Sequence, residues 1–77
     1  MSVYAASPAA VVADGGGVPR AVGAAGVEAV REEWMVEDRW WTSAPLRRRY
    51  FELALEDGRC VVVFRELEGG RWYSQRA

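Results

Sequence analysis

Apolar and polar positions alternate cleanly in the second half of the chain and hardly at all in its first third. Phe51, Leu53 and Leu55 alternate with Tyr50, Glu52 and Ala54, the period of a strand with one apolar and one mixed face. In "LEDGRC" the Asp57-Gly58 pair lies between two such runs, which is a strong short-range hairpin cue. "LEGGRW" repeats the arrangement with Gly69-Gly70. The two turns predict three consecutive antiparallel strands, over about 47–56, 59–66 and 71–76. The middle run, Arg59 to Arg65, is apolar at almost every position, as in a strand flanked on both sides and covered on both faces. In the last run Trp72 and Tyr73 fall on opposite faces.

Upstream, "VEAVREEWMV" reads two ways. Val27, Val30 and Trp34 stand at helical spacing, and Ala, Glu and Arg favour helix. Alternation instead puts Val30, Glu32 and Trp34 on one face, although Val27, Ala29, Arg31 and Met35 keep no clean pattern. The strand reading is preferred, because a meander needs a further strand or a lid over its apolar face, and the charges suit an edge. Residues 1–26 are mostly Ala, Gly and Val, with Pro8, Pro19 and a "DGGG" break at 14–17. With only Tyr4 large and apolar, they have little to bury against ordering entropy. They read as a flexible segment, with a short helix conceivable at "SPAAVVA". The expected architecture is mainly β: an antiparallel meander of about four strands over 27–77, curled toward an SH3-like half-barrel. Trp34, Trp72 and one of Trp40 and Trp41 should fill its concave side.

The chain has 77 residues, enough for one small domain that buries only about 60% of its unfolded surface. One cysteine and no histidine leave no internal disulfide and no common zinc site, and no metal or cofactor is expected. Cys60, within "RCVVVF", reads as a buried structural thiol, since no histidine can activate it. The stabilising load falls on four Trp, three Tyr and two Phe. No apolar run reaches the ~18 residues of a membrane span, and the N-terminus lacks the basic region of a signal peptide; a cytoplasmic protein with a reduced thiol is the expectation. The acid pairs Glu32-Glu33, Glu37-Asp38 and Glu56-Asp57 put neighbours on opposite faces of a strand, so none forms a catalytic dyad by spacing. No catalytic set is recognisable, and a non-enzymatic protein is expected.

The net charge is −1 and the isoelectric point about 5.4, so the whole chain is no polyanion binder. The charge is segregated, however. Residues 27–38 hold one arginine against five acids, a balance of −4, and residues 39–77 hold eight arginines against five acids, a balance of +3. Either the acidic run pairs with the arginine strand and neutralises it, or a basic face is offered to nucleic acid. "RRRYF" and "RWYSQR" interleave arginine with aromatics, the surface on which single-stranded nucleic acid stacks. The residues that would serve are Arg47, Arg48, Arg49, Tyr50, Arg71 and Tyr73. For a protein partner the candidates are Trp40 and Trp41, one of which should be exposed, with Arg39 and Arg48 beside them, the composition of an interface hot spot. A homodimer through an open sheet edge is a further option.

Trp34, Arg39-Trp40-Trp41, Arg47 to Tyr50, Asp57-Gly58-Arg59 and Gly70-Arg71-Trp72-Tyr73 occur in an order and spacing similar to the C-terminal domain of bacterial mutasome Y-family DNA polymerase homologues. Those are catalytically inactive hubs of damage-induced translesion synthesis. Over about residues 27–76 the chain also resembles short stand-alone actinobacterial proteins with the same ending. The resemblance implies a setting, DNA damage tolerance, and a mode, a small adaptor joining a polymerase assembly. It implies no catalytic residue, and neither the polymerase domains nor a sliding-clamp-binding peptide is present.

Overall fold

The computed structural model describes residues 6–38, 43 and 46–75. These form seven strands and no helix: β1 (Ala6–Pro8), β2 (Val11–Ala13), β3 (Pro19–Val22), β4 (Ala25–Asp38), β5 (Leu46–Leu55), β6 (Cys60–Glu66) and β7 (Trp72–Gln75). All neighbours are antiparallel, in the order β1-β7-β6-β5-β4-β3-β2. The three C-terminal strands and the extended reading of 27–36 stand where the sequence predicts them. The strand count does not: there are seven strands where the alternation suggested about four.

The extra strands come from the first third of the chain. Residues 6–26, expected to be flexible or briefly helical, carry β1, β2 and β3. Their side chains are too small to make a core of their own, but they suit one made by larger neighbours. Val11, Val18, Val22 and Ala25 pack against the buried cluster Phe51, Leu53, Leu55 and Val63, and Pro19 is itself fully buried. The segment thus gains burial from distant aromatic and leucine side chains, which its own composition could not reveal.

Closure follows from topology. β1 and β2 lie at opposite ends of the strand order, yet only Ala9 and Ala10 separate them. The Cα atoms of Pro8 and Val11 can therefore be no more than about 11 Å apart, and the sheet must curl until its ends approach. Ala9 N–H donates to Trp72 O at 3.0 Å, and Gly23 N–H donates to Ala10 O at 2.7 Å, so the linker stitches both ends. The result is an antiparallel half-barrel.

β4 forms the corner. It pairs with β3 through Ala25 and Gly26, then with β5 from Val27 to Asp38. Register shifts between Val27 and Ala29 and between Val30 and Glu32 mark two bulges, each of which adds a residue and sharpens the twist. They also explain the ambiguous pattern. Val27 and Val30 sit opposite Leu55 and Leu53 on the same face, three apart because a bulge intervenes and not because the segment is helical.

The turn after β5 is tighter in logic than its dipeptide suggests. Leu55 N–H donates to Arg59 O at 2.8 Å and Gly58 N–H to Leu55 O at 3.0 Å, which encloses a three-residue loop ending in Gly58 at φ +90°. That is a type I turn closed by a left-handed residue, a position suited to glycine. The β6–β7 loop is longer: Glu66 N–H donates to Arg71 O at 2.9 Å around residues 67–70.

Candidate interaction surface

Both faces of the central strands are used. On the inner face lie Phe51, Leu53, Leu55 and Val63, with Trp72 against Phe51 at 5.8 Å between ring centroids. On the outer face, register sets Trp34, Tyr50, Phe64 and Tyr73 side by side across β4, β5, β6 and β7. Successive centroids are 5.3, 4.8 and 5.3 Å apart, with interplanar angles of 11°, 31° and 21°. These are offset-stacked distances. The inner members of the row are buried, Tyr50 at 9% and Phe64 at 1% exposure. The outer face is thus sealed by its own rings, and Tyr50 and Phe64 have no free face to offer a base.

Trp34, expected in the concave core, instead ends this outer row, 38% exposed. Its pairing with Tyr50 places it on the opposite face from Phe51, and the second bulge sets that parity. Cys60, expected to be buried, is exposed. It opens β6 opposite Ala54, where the small partner leaves it uncovered, and it joins Glu52, Arg59, Val62 and Gln75 around an open groove of about 520 Å³.

The six residues proposed for nucleic acid do not converge. Arg48, Tyr50 and Tyr73 belong to the outer face, while Arg47 and Arg49 share the side of Phe51. Among the described residues four arginines have carboxylate partners: Arg47 with Glu68 at 2.8 Å, Arg48 with Glu66 at 3.6 Å, Arg49 with Glu33 at 2.5 Å and Arg59 with Asp57 at 2.8 Å. The Glu68 carboxylate holds the Arg47 guanidinium even further above its ordinary pKa. Two guanidinium groups lie over rings, Arg48 above Phe64 at 4.7 Å and Arg49 above Phe51 at 4.9 Å, and these cation–π contacts occupy the arginines within the fold. Arg71 is exposed in the loop just before β7. Of the residues proposed for a protein partner, Arg39, Trp40 and Trp41 lie outside the described residues, and Arg48 is half-buried beside Tyr50.

Two turns carry carboxylate caps. Asp14 Oδ1 accepts from Val18 N at 3.0 Å and Gly16 N at 2.9 Å, and the Val18 bond lowers the Asp14 pKa below its ordinary value. Asp57 Oδ1 accepts from Arg59 N at 3.1 Å and Oδ2 from Arg59 Nε at 2.8 Å, which lowers its pKa as well.

Sequence reasoning missed the exposed apolar residues of β4. Val30, Trp34 and Met35 are 39%, 38% and 51% exposed. They lie on a strand whose second edge, beyond Gly26, has no partner strand among the described residues. The unsettled alternation of "VEAVREEWMV" was the one signal available. No group of His, Cys, Asp and Glu among the described residues could hold a metal ion, and no helix is long and apolar enough to cross a membrane. Comparison with known protein families, with curated proteins and with solved structures finds no match.

Proposed function

We propose that this protein is a non-enzymatic interaction module, an adaptor that presents β4 and the segment following it to a protein partner. The observation that carries this reading is the open sheet edge of β4, along which Val30 and Met35 on one face and Trp34 on the other remain exposed. Single exposed apolar residues are ordinary, but beside unpaired backbone they offer an added strand side-chain contacts on both faces of the sheet. The chain continues from Asp38 directly into Arg39-Trp40-Trp41, so the tryptophan pair follows this strand in sequence. The resemblance to mutasome polymerase tails supplies the setting, a cytoplasmic role accessory to translesion synthesis.

The nucleic-acid alternative has less support, because four arginines are paired with acids and the central rings of the outer row are buried. The test is affinity capture with the tagged whole chain from an actinobacterial host after DNA damage, repeated with Trp34→Ser, Trp40→Ala and Trp41→Ala. A partner held by the parent chain and lost from a variant with unchanged circular dichroism supports the module. Absence of any such partner, together with single-stranded DNA binding that weakens steeply with salt, would replace it with the alternative.

A further inference from the structure

The regular part of β4 offers more than apolar side chains. From Glu32 to Asp38 its register with β5 runs without a bulge, and β3 ends its pairing at Gly26. Among the described residues no other strand lies on that side. Along Glu32–Glu37, backbone N–H and C=O groups of alternate residues therefore point away from β5, in the geometry that accepts an added strand.

Charge decides what can be added. Residues 27–38 carry one arginine against five acids, so a second copy of β4 would set −4 against −4, and a phosphate backbone would be repelled. The complementary chemistry is displayed by β5, which already lies along the other edge. Arg47 stands opposite Glu37, Arg49 stands opposite Met35 and reaches Glu33, and Tyr50 stands opposite Trp34 and stacks on it. The same side chains remain accessible from the free edge: Trp34 and Met35 are exposed, and the Glu33 side chain is 42% exposed despite its pairing with Arg49. A carboxylate can accept from more than one guanidinium.

We propose that the Glu32–Glu37 edge of β4 takes up an extended basic segment of a partner protein as an additional strand, with arginine or lysine facing the glutamates and an aromatic ring facing Trp34. This rests on the interaction-module reading and names the chemistry of its partner. The segment would resemble β5 read a second time.

The probe is the capped peptide Arg-Val-Val-Tyr-Arg-Arg, which laid antiparallel places its residues opposite Glu37 through Glu32 in turn. Two versions N-methylated at alternate residues, in opposite phase, keep its charge while removing alternate backbone donors. Amide chemical shifts of the whole labelled chain report where each binds. The expected result is a perturbation confined to β4 and its β5 neighbours. One methylated peptide should bind at least about tenfold more weakly and the other nearly as well, because only one phase of N–H groups faces the edge. Glu32→Lys/Glu37→Lys should lose the basic peptide and gain its Glu-for-Arg counterpart, and Glu32→Gln/Glu37→Gln provides the milder version if the first unfolds. Binding that ignores both methylation patterns, shifts that map elsewhere, no binding, or a concentration-dependent dimer through β4 would each overturn the proposal. Capture of the host partner by Glu32→Gln/Glu37→Gln with no peptide binding would sink the edge alone; loss of the partner from every experiment would sink the module reading beneath it.

Discussion

At the scale of single residues, Arg49 joins three parts of the fold. Its guanidinium lies over Phe51, pairs with Glu33 on β4, and donates to Gly16 O at 3.0 Å in the β2–β3 turn. Arg49→Ala should lower stability by about 1–3 kcal/mol in urea denaturation, since it removes charged hydrogen bonds and a cation–π contact together. Arg49→Lys should recover only part of that, because an ammonium lacks the planar fork that serves two acceptors at once. Gly17 lies beneath the same side chain at φ +81°, and a Cβ there would come within 3.0 Å of Arg49 Nη1. Gly17→Ala should therefore destabilise by about 1–2 kcal/mol through backbone strain and the displaced arginine. The caps of Asp14 and Asp57 act on pH dependence. Both pKa values are lowered in the folded state, so their contribution is present above the ordinary value of 3.8 and is lost as pH falls below it. Thermal melts between about pH 5 and pH 3 should show a fall in Tm that is smaller in Asp14→Asn/Asp57→Asn, which keeps an acceptor that does not titrate.

At the scale of elements, β5 owes its central place to alternation that works on both faces. Phe51, Leu53 and Leu55 feed the inner cluster while Tyr50 joins the outer aromatic row. The two faces should respond differently to truncation. Phe51→Ala should cost about 3–5 kcal/mol and leave little folded protein, as for large core truncations generally. Trp34→Ala, at the exposed end of the row, should cost about 1 kcal/mol, the worth of an aromatic pair with modest burial. Comparable denaturation midpoints for the two variants would contradict this division. The strands of β5, β6 and β7 were legible because local alternation, Asp57-Gly58 and Gly69-Gly70 carry their own instructions. β4 was half legible. Its bulges at Glu28 and Arg31 break the period of two, so the same residues fitted a helix by spacing until β5 imposed a register.

At the scale of the molecule, the first third of the chain closes the half-barrel. A chain beginning at Ala25 would lose β1 from the edge of β7 and the β2–β3 hairpin from above the core. Were residues 1–24 only a tail, its unfolding would match that of the parent. The fold instead predicts loss of a cooperative transition and binding of a hydrophobic dye, because Val11, Val18 and Val22 cover the Phe51 cluster.

The sequence by itself determined the class, the antiparallel order of the last three strands, their turns, and which face of β5 is apolar, since each depends on neighbours within a few residues. Cross-strand charge offered the pairing of the acidic run with the arginine strand as one of two readings, and the register of β4 on β5 supplied it. Tertiary structure decided the rest. The Ala, Gly and Val of the first third become strands only because large side chains elsewhere give them something to cover. Trp34 faces outward because a bulge sets its parity, and Cys60 is open because its partner is Ala54. The candidate edge on β4 exists because β3 turns away after Gly26, and a strand's second neighbour is set by the path of the whole chain.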